Sequence, residues 1–323
     1  MENRSNPCFL VADVGGTNTR VALFNGMEVM TASVRRYRNA DFPSLEAVLH
    51  QYMSDEGGAA PRAVCIDIAG PVQGDTGQLT NRNWHISEAG VAEATGAPKV
   101  ALLNDLQAQG YALPHVASEN LLMVRQGVDA SENAPSLVVN LGTGFNATPV
   151  LSAPSGPVVA ISESGHATMP VRTQQDMRLI AFVEAFHGFA AIDDILSGRG
   201  LEHVYAFLAG EAGAPGTKTS SEIIEGCAGG TDALCVETVR YFTELTALVV
   251  GNLALIHLPF GGIYMVGGLS SALAPYLADF GFNAAFKDKG RFASFMDAFS
   301  IYILQDDYAA LKGNAAYLNK ILD

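Results

Sequence analysis

Positive charge is scarce in this sequence. Lysine and arginine contribute 19 residues against 33 aspartates and glutamates in a chain of 323, which gives a formal net charge of −14. Proteins bind a nucleic-acid backbone mainly through clustered lysine and arginine side chains. We therefore expect no nucleic-acid partner, and we expect any phosphate ligand to be held locally by backbone N–H groups and a metal ion.

Cysteines and long apolar runs are also few. The four cysteines form no CxxC pair, which is typical of buried free thiols in a reducing compartment. Met1–Asn6 is polar and lacks the features of a signal peptide, so we predict a cytoplasmic protein. One long apolar stretch, Leu245–Met265, is interrupted by Asn252, His257 and Pro259. It predicts a buried helix, a turn and a buried strand, and we expect no membrane partner.

What the sequence does contain is an alternation of strand-like and helix-like segments. Apolar β-rich runs such as Phe9–Asp13, Ala63–Ala69 and Leu137–Leu141 are separated by segments of helical period such as Ser44–Met53 and Thr231–His257. This alternation predicts α/β architecture. The chain length and a hydrophobic content of 49% favour two domains.

A strand that runs into a Gly-Thr turn occurs twice, at Leu10–Thr17 and Val138–Gly144. Asn25-Gly26, a strong hairpin signal, follows the first of these and predicts a mixed sheet. Two turn-rich loops, Asp129–Pro135 and Gly210–Thr219, interrupt the pattern, and the first is the better boundary candidate. Two sheets that each present a glycine turn to a shared cleft would produce this arrangement.

The most specific local motif is Asp13–Arg20, with the sequence DVGGTNTR, directly after an apolar run. Its glycines allow backbone N–H groups to approach a phosphate closely, and a carboxylate at a strand end can hold Mg²⁺ through water. Thr17 adds a hydroxyl donor. An ordinary hairpin turn also uses Gly-Gly, so both interpretations stay open here.

A second glycine turn, Gly142-Thr143-Gly144, ends the run Leu137–Leu141. Together with Ala147 it matches the dinucleotide-binding pattern, but that pattern requires a helix to begin at the glycines. The following residues, 145–159, contain three prolines and predict strand and turn instead. A Walker A pattern is absent, which excludes a P-loop kinase.

Polar residues with candidate chemistry follow several strands. Asp105 fits a helix N-cap, and it fits equally a general base with Asn104 donating to a substrate hydroxyl. Glu163 and His166 can bind adjacent sugar hydroxyls, but a lone histidine near a strand is more often structural, and no companion ligands support a metal site there. Asp193 with its neighbour Asp194 fits a solvated acidic helix face. A third glycine turn, Gly267-Gly268, would let an adenosine lie flat on the backbone.

In this order, these segments resemble the bacterial glucokinase family, which has the hexokinase and actin-like ATPase fold. The resemblance extends from about Phe9 to about Leu318 and includes Ile68–Pro71, Leu79–Asn81 with Trp84, Leu196–Gly198 and Phe286–Phe292. It implies a two-domain α/β fold whose inter-domain cleft closes on glucose, and an ATP-dependent transfer that yields glucose 6-phosphate. We assign residues 1–115 and 306–323 to the smaller domain and 116–305 to the larger one.

The resemblance also implies roles for individual residues, a requirement for Mg²⁺, and a homodimer. Asp105 would be the catalytic base, and the residues that would contact the sugar are Asn104, Asp105, Glu163, His166 and Asp193. Mg²⁺ would be held through water by Asp13. The residues that would bind ATP are Asp13, Gly15, Gly16, Thr17, Asn18, Gly142, Thr143, Gly144, Gly267 and Gly268.

Three residues depart from the pattern of that family. Asp193 stands where the family commonly has glutamate, and Asn146 and Ser164 stand where it often has glycine. The departures leave two alternatives open, which are a kinase for another hexose or amino sugar and a sugar-binding regulator with weakened catalysis. The related family of repressors and kinases carries a cysteine-rich zinc motif after its sugar-binding histidine. None of the four cysteines lies there, so we exclude that family.

Overall fold

A computed structural model of the chain describes residues 8–80, 82–128 and 133–322. Met1–Asn6, Asn81 and most of the loop Asp129–Pro135, all of which entered the predictions above, lie outside the described residues. Two compact units are present. Unit 1 comprises the described residues of Met1–Ala117, Ala153–Ile161 and Asp306–Asp323, and unit 2 those of Ser118–Ser152 and Ser162–Gln305.

The two units together contain strands and helices in alternation, as the sequence predicts. The strands are β1 (Phe9–Val14), β2 (Asn18–Asn25), β3 (Glu28–Val29), β4 (Arg35–Arg38), β5 (Ala63–Ile68), β6 (Val72–Gln73), β7 (Thr76–Gln78), β8 (His85–Ser87), β9 (Val100–Asn104), β10 (Leu121–Arg125), β11 (Ser136–Leu141), β12 (Phe145–Leu151), β13 (Val158–Val159), β14 (Ile263–Val266) and β15 (Ile301–Leu304). The helices are α1 (Leu45–Asp55), α2 (Glu88–Thr95), α3 (Asp105–Ala112), α4 (Gln174–His187), α5 (Ile192–Ile195), α6 (Gly198–Glu211), α7 (Ser220–Ala228), α8 (Ala233–His257), α9 (Gly268–Leu273), α10 (Phe282–Lys287) and α11 (Ala309–Leu322).

Unit 1 is built on a mixed sheet with the strand order β3-β2-β1-β5-β9, to which β4 adds by pairing with β2. β1 is antiparallel to β2 and parallel to β5, and β5 is parallel to β9. The predicted hairpin at Asn25-Gly26 is present, because Asn25 pairs with Glu28 and Gly26 has a φ of 60°. Alternate residues of β1, Leu10 and Ala12 among them, join the apolar core beneath α1 and α2.

Unit 2 repeats this plan with the strand order β10-β15-β14-β11-β12. β11 and β12 form an antiparallel hairpin, β11, β14 and β15 are parallel, and β10 is antiparallel to β15. The predicted recurrence of a strand followed by a glycine turn is therefore confirmed, since β1–β2 and β11–β12 are both hairpins that lie beside parallel strands.

The segment Ala153–Ile161 differs from the predicted division, which placed all of 116–305 in one domain. In the structure this segment belongs to unit 1. Its Pro157 carbonyl accepts a hydrogen bond from Lys320 of α11 at 2.5 Å, and its Val159 carbonyl accepts one from Gln107 of α3 at 3.4 Å. These partners lie 163 and 52 residues away, so local sequence patterns do not reveal them.

The long apolar stretch is a buried helix, a turn and a strand, as predicted. α8 ends at His257, Leu258 adopts the left-handed conformation at φ 48°, Gly262 follows at φ 110°, and β14 begins at Ile263. Among the described residues, α8 is the one helix long and apolar enough to cross a bilayer, but 72% of its most apolar window is buried. Packing in the core of unit 2 therefore accounts for its composition.

The last helix, α11, packs against α3 with direct backbone contact. A Cβ atom added at Gly313 would lie 1.8 Å from the carbonyl oxygen of Ala108. Only glycine lets the two helices approach this closely. This contact at Gly313 holds α3, and with it the residues at the start of α3.

Candidate functional site

The first glycine turn joins β1 to β2, and the side chain of Asn39 stabilises it through hydrogen bonds. The N–H of Gly15 donates to the carbonyl of Asn18 at 3.0 Å. Asn39 is fully buried; its Nδ2 donates to the Gly15 carbonyl at 2.8 Å, and its Oδ1 accepts from the Thr19 hydroxyl at 2.8 Å. The sequence motif did not point to Asn39, because it lies 24 residues beyond the glycine that it holds.

A pocket of about 270 Å³ lies at this turn. It is lined by Asp13, Gly15, Gly16, Thr17, Asn18, Arg20 and Arg36. In the sheet, Arg36 of β4 lies opposite Arg20 of β2, and Arg20 lies opposite Asp13 of β1. Opposed residues on neighbouring strands share a face. The turn is therefore a hairpin that borders a pocket lined by two arginines, and Arg36 is a lining residue that the motif did not include.

Asp67 continues this row of charged residues on the next strand. It lies at the end of β5 directly opposite Asp13, and it is fully buried. Asn314 of α11 donates to Asp67 Oδ2 at 2.5 Å, no described residue donates to Oδ1, and the Asp13 carboxyl lies within hydrogen-bonding reach of Asp67. Burial and the negative charge of Asp13 raise the pKa of Asp67 well above its usual range. The sequence motifs did not include Asp67, although a single carboxylate within the apolar run Ala63–Ala69 could have indicated it.

Asp105 is the first residue of α3, and the residue that caps the helix is Asn104. Asn104 Oδ1 accepts from the N–H of Leu106 at 2.9 Å, and its Nδ2 donates to the Gly70 carbonyl at 3.2 Å. The N-cap interpretation of Asp105 is therefore wrong by one residue. Asp105 Oδ1 also accepts from Leu106, at 2.8 Å, and the negative charge of Asp105 contributes to the raised pKa of Asp67.

Unit 1 thus brings three carboxylates to the ends of its parallel strands. Asp13 and Asp67 are the penultimate residues of β1 and β5, and Asp105 directly follows β9. In open α/β sheets, ligands bind outside the carboxyl ends of parallel strands. Burial raises the pKa of Asp13 as well, against the opposing positive charge of Arg20.

The second glycine turn, Gly142–Gly144 in unit 2, is hydrogen-bonded to the start of α6 and lies next to the third glycine turn, Gly267-Gly268. The N–H of Gly198 donates to the Gly142 carbonyl at 2.9 Å. Gly267 has a φ of 97°, and a Cβ there would lie 2.5 Å from the Leu141 carbonyl, so the position requires glycine. β12, not a helix, begins at Phe145. The exclusion of a dinucleotide-binding fingerprint is therefore confirmed.

Asp193 is attached to this second turn. Its Oδ1 accepts from the N–H of Phe145 at 2.6 Å and would lie 2.9 Å from a Cβ at Gly144. Its Oδ2 lies 3.7 Å from Nη2 of Arg199, and the side chain is only 16% exposed. The interpretation of Asp193 as part of a solvated helix face is therefore wrong. Because Oδ1 is bonded to the backbone, Oδ2 is the Asp193 oxygen that can contact a ligand.

Glu163 and His166 lie in a short turn next to Asp193. Glu163 Oε2 and His166 Nε2 are 4.0 Å apart, and the two side chains are 54% and 71% exposed. Between them, Gly165 is buried, and a Cβ there would lie 1.9 Å from the Phe145 carbonyl. The turn is therefore packed onto β12 through its glycine, while its two polar side chains remain available to a substrate.

The two departures Asn146 and Ser164 are hydrogen-bonded to each other. Asn146 Oδ1 accepts from the Ser164 N–H at 3.0 Å and from the Ser164 hydroxyl at 3.1 Å. Asn146 Nδ2 donates to the Ser162 carbonyl at 2.6 Å, and the Ala147 N–H donates to Ser164 Oγ at 2.9 Å. The two residues therefore act as one unit that fastens the Glu163–His166 turn to β12.

Among residues 8–80, 82–128 and 133–322, no group of three or more His, Cys, Asp or Glu side chains is placed to hold a metal ion. Mg²⁺ does not need such a group, because it is usually bound by one or two carboxylates together with phosphate and water oxygens. Asp13 lines the pocket at the first turn, and Asp67 beside it has a buried oxygen to which no described residue donates a hydrogen bond. These two carboxylates fit that mode of binding.

Comparison with known proteins gives one consistent family. The family model described as Glucokinase matches residues 10–321. The chain is 31% identical over 318 residues to a glucokinase of Saccharophagus degradans, covering 97% of this chain and 98% of the relative. A crystal structure of glucokinase from an Antarctic psychrotroph superposes with a TM-score of 0.83 at 27% identity, covering 98% and 99% of the two chains. A Balamuthia mandrillaris glucokinase in complex with glucose has a TM-score of 0.80 at 17% identity, covering 96% and 93%.

Proposed function

This chain belongs to the glucokinase family and is an ATP-dependent sugar kinase, and we propose that it phosphorylates glucose with Asp105 as the general base. The observation that carries the proposal is the position of Asp105. It follows strand β9 at the carboxyl end of the unit 1 sheet, where its charge acts on Asp67, the neighbour of pocket residue Asp13. A base at that edge of the sheet lies on the side where α/β proteins bind ligands.

In the proposed reaction, the Asp105 carboxylate accepts the proton of the attacking sugar hydroxyl. The hydroxyl oxygen forms a bond to the γ-phosphorus of ATP as the bond to the leaving ADP oxygen breaks. Most of the catalysis in such transfers comes from positioning and charge stabilisation. The hydrogen bond from Leu106 to Asp105 Oδ1 fixes the carboxylate at the start of α3. A bound Mg²⁺ would supply neutralisation of the phosphate charge.

For the nucleotide, we assign the phosphates to the two glycine turns and the adenosine to Gly267-Gly268. The first turn offers backbone N–H groups, the Thr17 hydroxyl, and the cations Arg20 and Arg36 around one pocket. Clustered N–H groups and arginine side chains are the usual partners of phosphate oxygens. This local arrangement supplies the positive charge that the chain as a whole lacks.

For the sugar, we assign contacts to Asn104, Glu163, His166 and Oδ2 of Asp193. Glu163 and His166 are exposed on a turn that is fastened to β12, which suits them to grip neighbouring hydroxyls. The hydrogen bond between Asn146 and Ser164 supports this assignment, because it gives both departures from the family pattern a role in holding that turn. The predicted cytoplasmic location and homodimer stay predictions.

A substrate panel tests the proposed function. We expect ADP release that depends on both Mg²⁺ and sugar, with kcat/KM highest for glucose among glucose, mannose, fructose and glucosamine. The measurement is a coupled ADP assay at fixed ATP. A higher kcat/KM for another sugar would favour the alternative kinase, and tight glucose binding without turnover would favour the regulator.

Changing Asp193 to asparagine tests its contact with the sugar. The amide that replaces the carboxylate keeps one oxygen to accept from the Phe145 N–H, and it replaces Oδ2 by an uncharged NH₂ group. Removing one charged hydrogen bond to a substrate hydroxyl costs about 1.5–3 kcal/mol, so we expect KM for glucose to rise by roughly 10–100-fold with KM for ATP little changed. Steady-state kinetics with each substrate varied gives both constants.

Asp194→Asn is the matched control for this change. The neighbouring carboxylate accepts from the N–H of Ala191 at 3.0 Å at the start of α5 and is not assigned to the sugar. We expect this variant to keep both KM values. A rise in KM for ATP instead of glucose in Asp193→Asn would show that Asp193 only supports the glycine turn.

A further inference from the structure

We propose that Asp67 is a second carboxylate for the Mg²⁺ ion that accompanies the nucleotide, acting beside Asp13. The inference rests on the proposed function, because it concerns the ion of the ATP site. Sequence motifs assigned the ion to Asp13 alone, and Asp67 lies in an apolar strand outside any glycine motif.

The positions of the two carboxylates are fixed by the sheet. β1 and β5 are parallel, and Asp13 and Asp67 are direct partners in their register. Directly opposed residues on paired strands point to the same face. Asp13 is part of the lining of the pocket at the first glycine turn. Asp67 therefore lies beside Asp13, which lines the pocket that we assign to the ATP phosphates.

The surroundings of Asp67 satisfy only one of its two carboxyl oxygens. Oδ2 accepts from Asn314 Nδ2 at 2.5 Å, and the same Nδ2 group donates to the Ala12 carbonyl at 3.1 Å. Asn314 is itself held through its Oδ1, which accepts from the thiol of Cys65 at 3.4 Å. Oδ1 of Asp67 is buried, and no described residue donates to it. A buried polar atom without a partner costs free energy, and such atoms are rare in folded proteins.

The charged groups around Asp67 do not supply the missing partner. The nearest ones that act on it, Asp13 and Asp105, are both acidic and add to the cost of its ionised form. Arg20 acts on Asp13 and donates through Nη1 to the carbonyl of Asp307. A cation between Asp13 and Asp67 would neutralise both carboxylates at once.

Mg²⁺ is the cation that suits this place. It is smaller than Ca²⁺, keeps an octahedral set of oxygens, and is usually held by one or two carboxylates with phosphate and water completing the set. The described residues offer two neighbouring carboxylates here and no third acidic or imidazole ligand. The remaining positions thus fall to the phosphates and to water, which ties the ion to the nucleotide.

The main alternative is a proton shared between the two carboxyl groups. Two carboxyl groups can hydrogen-bond to each other only when one of them is protonated. An amide at position 67 can replace such a proton, because its NH₂ group donates to Asp13 and its oxygen still accepts from Asn314. An amide cannot replace a negatively charged ligand of a metal ion. Asp67→Asn therefore separates the two explanations.

The experiment measures Mn²⁺, used as a paramagnetic substitute for Mg²⁺, by electron paramagnetic resonance. The full chain is titrated with Mn²⁺ in the presence of saturating AMPPNP and without sugar, so that no turnover is needed. Changes next to a metal site commonly cost about 10–100-fold in metal affinity. We expect Asp67→Asn to weaken Mn²⁺ binding by at least about tenfold within that range. Mg²⁺ competition against bound Mn²⁺ confirms the same site.

Two further variants make the result specific. Asp67→Ala removes both oxygens without adding bulk, and we expect the same loss of Mn²⁺ affinity. Cys65→Ser changes another contact of Asn314 and keeps both carboxylates, so we expect it to bind Mn²⁺ like the wild type. Thermal unfolding of each variant shows whether it is folded at the temperature of the titration.

Wild-type Mn²⁺ affinity in folded Asp67→Asn or Asp67→Ala would overturn the proposal. Equal weakening in Cys65→Ser would also overturn it, because the effect would then come from disturbed packing around Asn314. Failure of the proposed function has a different signature. The wild-type protein with AMPPNP would then bind Mn²⁺ no more tightly than AMPPNP does alone, and both proposals would fall together.

Discussion

Replacing Asp105 by asparagine is expected to lower kcat by about 10²–10⁴-fold, the contribution typical of a positioned general base. Asparagine has nearly the same shape, and its oxygen can still accept from the N–H of Leu106, which Asp105 Oδ1 does at 2.8 Å. The start of α3 and the neighbouring Asn104 are therefore expected to stay in place, and glucose binding is expected to be retained. Steady-state kinetics gives kcat, and calorimetry gives the affinity for glucose.

The matched control is Asp232→Asn at the start of α8. Asp232 caps that helix by accepting from the N–H groups of Leu234 and Cys235 at 3.0 and 3.1 Å. Asparagine is an equally good cap, so the same chemical change at a helix start in unit 2 is expected to leave kcat unchanged. Near-normal turnover in Asp105→Asn would show that another group accepts the proton.

Replacing Gly313 by alanine is expected to lower the free energy of unfolding by about 1–3 kcal/mol, the usual cost of overpacking. The added methyl would lie 1.8 Å from the Ala108 carbonyl oxygen, and backbone atoms cannot move aside as a flexible side chain can. This cost exceeds the gain of about 1 kcal/mol that alanine brings to a helix interior. α3 and α11 would have to separate, which also displaces Asp105. Urea unfolding measures the change in stability.

The control for this change is Gly210→Ala in α6, where a Cβ atom would meet nothing within 4 Å. Alanine at an open helical position gains up to about 1 kcal/mol over glycine. The same substitution is therefore expected to have opposite signs at the two positions. Equal stability of Gly313→Ala and the wild type would show that the two helices do not depend on close backbone contact.

The sequence predicted those parts of the site that consist of consecutive residues. The segments DVGGTNTR and Gly142–Gly144 predict their turns, because glycine and a strand-end carboxylate act over a few residues. The long helix and its turn before β14 were also predictable, since apolar periodicity and breakers are local signals. The family resemblance then set these pieces in one order, and the full-length match to glucokinases confirms that family.

The residues that support the site were not predictable in this way. Asn39 holds a glycine 24 residues away, and Asn314 bonds to Asp67 across 247 residues. Such pairs form because strands and helices fold against each other, and a single sequence carries no sign of the partner. Even the helix cap was misplaced by one residue, since Asn104 and Asp105 are both good capping residues.

The three departures from the family pattern have a clearer meaning in the structure. Asn146 and Ser164 bond to each other, and Asp193 bonds to the backbone beside Gly144. Each of the three side chains therefore forms at least one hydrogen bond within unit 2. This weakens the argument for a regulator with decayed catalysis, which rested on these three residues.

The return of α11 to unit 1 has a consequence for protein synthesis. The sheet of unit 1 is complete by β9, but α11, which covers it, follows unit 2 in the chain. At the usual 5–20 residues per second, translation of the intervening residues 118–305 takes roughly 10–40 seconds. Throughout that interval, the face of β1 and β5 that receives Asn314 lacks α11, although α3 already lies against β5 and β9. The sheet that carries Asp13 and Asp67 therefore keeps apolar surface exposed until α11 is made, and a chaperone that binds apolar surface would act there.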